Sequence, residues 1–286
     1  MKFWLGEVKM NNISFGQYYP TNSPIHRLDP RLKLLITLGY IVLIFFINSF
    51  TSYLFCALFV LTIALVGRIP LKTLLKSVKA VIFLVFFITV INVLFYKGNH
   101  LLWSWWKINI YLDGILYAIK MALRLILLVM GPALLTFTTT PMELTDGVES
   151  LLSPLKVIKF PVHDVAVIMS IALRMIPTLM EETNKITMAQ KARGADLDSG
   201  NVFKRAKALI PILVPLFVGA FRRADELALA MDARCYNATP NRTKYKLLHF
   251  GWGDLFAFLI FGIYLALVIM NIHLFDLDAL IWGLFA

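Results

Sequence analysis

Two aspartates, Asp196 and Asp198, follow an arginine and a glycine in the stretch KITMAQKARGADLDSG, residues 185–200. Paired carboxylates beside a guanidinium can hold Mg2+ and a pyrophosphate, the device of a membrane prenyl- or phosphotransferase. Asp-x-Asp is a low-specificity pattern, however, and Asp198-Ser199-Gly200 is also an ordinary turn and helix cap. The pattern nearly repeats as LALAMDARCYN, residues 227–237, where Ala233-Arg234-Cys235 stands in the place of Ala192-Arg193-Gly194. The second copy carries no aspartate after its arginine. What the copies share is an alanine and an arginine at the end of a helix-forming run.

One arginine in a last helical turn is explained by the unpaired carbonyls and partial negative charge there, and glycine is the usual residue just beyond. Two such ends weaken that explanation. An arginine fork at a helix tip binds a carboxylate bidentately across an interface, and the preceding alanine lets another surface come close. Other chemistry finds no support. There is no Walker A sequence, no His-Glu-x-x-His and no Gly-x-Ser-x-Gly. The histidines (His26, His100, His163, His249 and His273) are scattered, and Cys56 and Cys235 lie in very different segments.

The elements that must carry these tips are membrane elements. The 286 residues are 59% hydrophobic and 16% charged, against about one quarter charged in soluble domains. The formal charge of +11 reads as cytoplasmic loops facing anionic lipid, not as a nucleic-acid surface. Five apolar runs approach the length of a spanning helix: about 32–48, 52–66, 79–96, 112–137 and 254–273. Positive charge alternates across them. Arg27, Arg31 and Lys33 lie at the approach to the first; Arg68, Lys72, Lys76 and Lys79 lie from the end of the second to the start of the third. The tryptophan-rich connection at 97–113 is charge-poor, as an interfacial belt is, and the C-terminal tail holds no Lys or Arg. The alternation predicts a cytoplasmic N-terminus and an outer C-terminus.

Two further apolar runs, 165–180 and 208–221, contain Arg174 with Pro177 and Pro211 with Pro215. Crossing as a hairpin, they would leave Lys185, Lys191, Arg193, Lys204, Arg205 and Lys207 outside, against the charge rule. The region 138–250 is therefore expected to be cytoplasmic, between an N-terminal part (1–137) and a last span with its tail (251–286). Its helices run from about Val162 to Arg193, on the order of 45 Å, and from about Val202 to Arg234, bent or interrupted by proline. Their apolar faces, including Ile168, Ile171, Met175, Leu179, Leu213, Leu216 and Phe217, need a membrane surface or a protein partner. Arg174 is expected to bond a carboxylate or carbonyl within the fold. Lys120 and Arg124, one turn apart in the fourth span, are expected to snorkel or to find an interhelical partner.

HRLDPRLKLL before the first span, TTTPMELTDGVESLLSPLK after the fourth, IALRMIPTLMEETNKITMAQKARGAD and RRADELALAMDARCYN together resemble the transmembrane coupling (T) subunit of energy-coupling factor (ECF) transporters, the CbiQ/EcfT family. The resemblance covers most of the chain, and the two Ala-Arg-Gly ends are its most specific mark. Cys235 departs from the second and alters that helix stop. The resemblance implies an all-α integral membrane protein of a prokaryotic cell membrane, non-catalytic itself. It implies that Ala192-Arg193-Gly194 and Ala233-Arg234-Cys235 dock onto two ABC-type ATPase subunits, which bind the ATP and Mg2+. It implies that the apolar helix faces hold a vitamin-capturing membrane S component. The transferase using Asp196 and Asp198, and a stand-alone secondary transporter, are the alternatives.

Overall fold

The computed structural model describes residues 18–96, 101–105, 108–158, 160–195, 202–236 and 250–273. Packing divides the chain into two units, Met1–Phe160 with His249–Ala286, and Pro161–Leu248.

The first unit contains α1 (Pro30–Phe46), α2 (Phe50–Val66), α3 (Leu71–Lys79), α4 (Ile82–Phe95), α5 (Leu112–Thr138), α6 (Pro141–Leu151) and α9 (Trp252–His273). Their starts follow local chemistry. Asp29 caps α1 by accepting from the Arg31 amide at 2.9 Å, with Pro30 in the first turn. Thr140 and Glu143 form a reciprocal capping box on α6, satisfying amides that no helical carbonyl can reach.

Cross-helix contacts fix the directions. At one end Lys33 Nζ donates to the Thr138 carbonyl, and Asp254 Oδ1 accepts from the Asp29 amide. At the other, Arg124 Nη2 donates to the Ile47 carbonyl and Ser52 to Asn271 Oδ1. Hence α1 and α9 run parallel, while α2 and α5 run against them. Tyr96, just past α4, stacks on Tyr117 near the start of α5, so α4 runs with α1. The five expected spans thus alternate in direction, and α5 ends where α9 begins. Whatever lies between Thr138 and Trp252 returns to the face it left.

Length refines the picture. By length and composition α5, α7 and α9 suffice to cross a membrane, and α3 with α4 makes a fourth span bent by 59°. The α1 and α2 helices have 17 residues each, about 25 Å, a little short of a hydrocarbon core. The connection expected to be an interfacial belt contains an antiparallel ribbon, β1 (Leu101–Trp105) and β2 (Ile108–Tyr111), with Trp105 opposite Ile108; β1 carries two tryptophans and β2 two isoleucines and a tyrosine, types that favour strands.

The second unit pairs α7 (Val162–Ala192) with α8 (Val202–Ala233). Gln190 Nε2 donates to the Pro211 carbonyl at 3.3 Å, and Arg223 Nη2 donates to Glu182 Oε2 at 2.7 Å. Advancing along α7 therefore means retreating along α8: the helices are antiparallel. The α8 helix runs on through both prolines without interruption; of the bend or interruption expected there, the interruption does not occur. Pro215 has no amide to give the Pro211 carbonyl one turn earlier. Gln190 of α7 supplies the missing donor.

The α6 helix packs on α1, with Gly147 set against Leu34 and Pro30. The second unit accordingly begins at Pro161, although the cytoplasmic region is expected from 138. The first is a division by packing, the second by side of the membrane.

Candidate docking site at two arginine-tipped helix ends

The ends of α7 and α8 match hydrogen bond for hydrogen bond. At the first, the Gly194 amide donates to the Lys191 carbonyl and the Ala195 amide to the Gln190 carbonyl, both at 3.0 Å. At the second, the Cys235 amide donates to Asp232 at 2.9 Å and the Tyr236 amide to Met231 at 3.0 Å. This is the Schellman closure, which requires a left-handed residue just past the helix. Gly194 takes φ 87° and Cys235 takes φ 54°. The expectation that Cys235 alters the helix stop is therefore corrected. The backbone hydrogen bonds of the closure outweigh the strain of a Cβ at positive φ, about 1 kcal/mol.

Each closure leaves its arginine exposed at the tip, and Ala192 and Ala233 are exposed beside them. Glu182 lies eleven residues before Arg193, and Arg223 eleven before Arg234. The ion pair at 2.7 Å therefore joins equivalent positions of the two copies. No proline interrupts either segment, so each tip stands about 16 Å from the ion pair. Because the helices are antiparallel, the tips point to opposite ends of the pair. At the crossing Gly219 faces Glu182: a Cβ there would lie 2.8 Å from Oε1.

The predicted apolar face divides. Ile168 (64% exposed), Leu213 (44%) and Phe217 (59%) are open, whereas Ile171, Met175, Leu179 and Leu216 are half-buried. Sequence reasoning missed the rest of the exposed stripe, which on α8 runs through Ile210, Val214, Val218 and Phe221 and on α7 through Met169, Ile176 and Met180. Its helical spacing was readable; which face α7 and α8 turn to one another was not.

Asp196 and Asp198 lie outside the described residues. Among the described residues no group of three or more His, Cys, Asp or Glu side chains is placed to hold a metal. Arg174, expected to be bonded within the fold, is exposed, with no hydrogen bond or ion pair found for it among the described residues; the apolar run that carries it faces outward there. Arg124 is held between helices, donating to Tyr53 Oη, the Ile47 carbonyl and Asn48 Oδ1, while Lys120 lies 4.8 Å from the Phe50 ring centroid. Both cations serve the α1–α2 corner.

Known proteins bear directly on this arrangement. The family profile CbiQ, described as a cobalt transport protein, matches residues 21–245. The energy-coupling factor transporter transmembrane protein EcfT of Ruminiclostridium cellulolyticum is 48% identical over 266 residues, covering 93% of this chain and 99% of that protein. The protein of the same name from Clostridium kluyveri is 48% identical over 275 residues, covering 96% and 99%. That of Bacillus subtilis is 44% identical over 239 residues, covering 84% and 90%.

An all-α integral membrane chain of this kind is a transmembrane component of a transporter. It belongs to the CbiQ/EcfT family, the transmembrane components of energy-coupling factor transporters. The transferase and stand-alone transporter alternatives are not favoured by these relatives.

Proposed function

We propose that this chain couples two ABC-type ATPase subunits to a substrate-capturing S component in a vitamin or micronutrient importer. The observation that carries the reading is the pair of matched helix closures, each presenting an arginine, at opposite ends of an antiparallel pair. One tip with an exposed guanidinium is a helix end; two equivalent tips about 30 Å apart fit a partner that is itself paired. Arg193 and Arg234 each engage a carboxylate on one ATPase, which binds the ATP and Mg2+, and this chain is not itself a catalyst. Closing of the ATPases displaces the tips, and α7 and α8 turn about the Glu182–Arg223 crossing. The exposed stripe carrying Ile168, Leu213 and Phe217 transmits that movement to the S component, which tips and releases its substrate inward.

The orientation follows from charge. The ends of α1, α2, α5 and α9 that meet near Lys33 are placed in the cytoplasm, as are α7 and α8, with the C-terminus outside. Although α7 is long enough to cross a bilayer, its last twelve residues hold Glu181, Glu182, Lys185 and Lys191.

Cys235 supplies a test without mutation, because it is free and exposed beside Arg234 while Cys56 is buried. A membrane-impermeant maleimide should modify Cys235 rapidly in the isolated chain and slowly once the ATPases are bound. Arg193→Glu with Arg234→Glu should abolish ATPase association and uptake while the chain still inserts. Uptake at the wild-type level in that variant overturns the assignment.

A further inference from the structure

The first unit contains a cavity of about 430 Å³ between α1, α2, α5 and α9, within the size range of small-molecule sites. It is elongated along the helices. One end is formed by Lys33, Val66 and Thr138, and the other by Tyr40, Phe59 and Tyr264. From Lys33 to Tyr40 along α1 is about 10 Å. The deep end is aromatic: Phe59 stacks on Tyr264 with ring centroids 4.2 Å apart. Leu58 and Val66 of α2 and Ile260 of α9 line the cavity and are also exposed, so it opens sideways between α2 and α9, where a bilayer's hydrocarbon lies.

The polar end is built around one cation. Lys33 is 6% exposed, and its ammonium donates to the carbonyls of His26 and Thr138, each at 3.1 Å. An ammonium has three donors; among the described residues the third has no hydrogen-bond partner, while the carboxylates of Glu143, Asp254 and Asp29 act on it electrostatically. Arg27 precedes the lining residue Leu28, and Arg68 lies two residues past the lining residue Val66; both are exposed. Arg68 is fixed at φ 52° by the closure that ends α2. A slot whose one charged lining residue is Lys33, with Arg27 and Arg68 beside that end and aromatic and aliphatic walls at the other, has the polarity of an anionic amphiphile.

We infer that this crevice is a lipid site, taking one acyl chain of an anionic phospholipid with an ester or phosphate oxygen at the Lys33 ammonium. An apolar crevice facing hydrocarbon is not filled by water, and no protein segment among the described residues occupies it. The bound chain completes the wall between α2 and α9. The site is separate from the arginine tips; only its assignment to the inner leaflet rests on the orientation proposed above.

The complete transporter, reconstituted with a trace of phosphatidylglycerol carrying a diazirine in mid-chain, tests the site by irradiation and peptide mass spectrometry. Adducts at Phe59, Ile63, Ile260 and Tyr264 should exceed those at the exposed Phe83 and Phe86 of α4 by about fivefold. A phosphatidylcholine probe should lose about fivefold of that enrichment, the preference one basic residue near lipid confers. Leu58→Trp and Thr62→Trp, filling the mouth and leaving Lys33 intact, should remove the crevice adducts and leave those on α4. Equal labelling of crevice and α4 in the wild type overturns the site, as do crevice adducts unchanged by both tryptophans in complexes that elute intact. Crevice labelling below that of α4, the sign of a protein segment covering the opening, overturns it as well.

Discussion

Glu182 and Arg223 meet at 2.7 Å, and each precedes by eleven residues the arginine that ends its own helix. The two copies of one helix type touch at the same internal position, giving the pair a local two-fold relationship about the crossing. Because the pair is half-buried, its value to stability is under about 1 kcal/mol. Its larger effect is to set register: with Gln190 on the Pro211 carbonyl, it prevents α7 from sliding along α8 and changing the distance between the tips.

Charge inversion tests that role. Glu182→Arg or Arg223→Glu alone places like charges at the crossing, costing roughly 1 kcal/mol locally and lowering substrate uptake several-fold in proteoliposomes. The double exchange, Glu182→Arg with Arg223→Glu, restores the attraction and most of the uptake. If the single variants transport normally, the crossing does not hold the register.

The closure of α8 carries strain that glycine does not. Cys235→Gly should raise the thermal midpoint of the chain, a gain of about 1 kcal/mol from relieving the left-handed Cβ clash. Cys235→Val should lower it by more, since a branched side chain tolerates that region poorly. Both are read by thermal unfolding in detergent, with ATPase pull-down reporting whether Arg234 keeps its position.

Asp254 joins two segments 225 positions apart, accepting from the Asp29 amide at 2.7 Å and from the Gly251 amide at 2.8 Å. Asp254→Asn keeps one acceptor and turns a donor toward the other amide. Leaving a buried N–H unpaired costs about 1–3 kcal/mol. The expected result is a lower thermal midpoint and faster proteolysis near α9.

His26 predicts a pH dependence. Burial of the ring, with Lys33 nearby adding repulsion, holds its pKa below the usual 6.5, against the raising effect of the Tyr19 and Phe137 backbone and of Glu143. The unfolded chain therefore binds the proton first as pH falls. The His26 contribution is complete above 6.5 and is lost as pH drops through that value toward the lower folded pKa. Thermal midpoints between about pH 7.5 and 5.5 should fall less steeply in His26→Gln than in the wild type. Equal slopes would remove His26 from the account.

Hydropathy, charge alternation and turn chemistry were enough to read a membrane protein, to place five apolar helices within a few residues, and to mark Arg193 and Arg234. These signals are local: an apolar run, a basic loop and a helix stop each show within about twenty positions. The sequence also displayed the duplication, yet not its geometry. Tertiary packing decided that the copies run antiparallel, that Glu182 meets Arg223 between them, and that Gln190 replaces the donor Pro215 lacks. That Cys235 accepts a positive φ is instead a local outcome that residue type did not display, because the closing hydrogen bonds of Tyr236 and Cys235 reach back only to Met231 and Asp232. Asp254 and Lys33 were likewise silent in one dimension. A buried carboxylate or ammonium is explained only by the amides and carbonyls that distant helices bring to it, and that proximity is a property of the packed bundle.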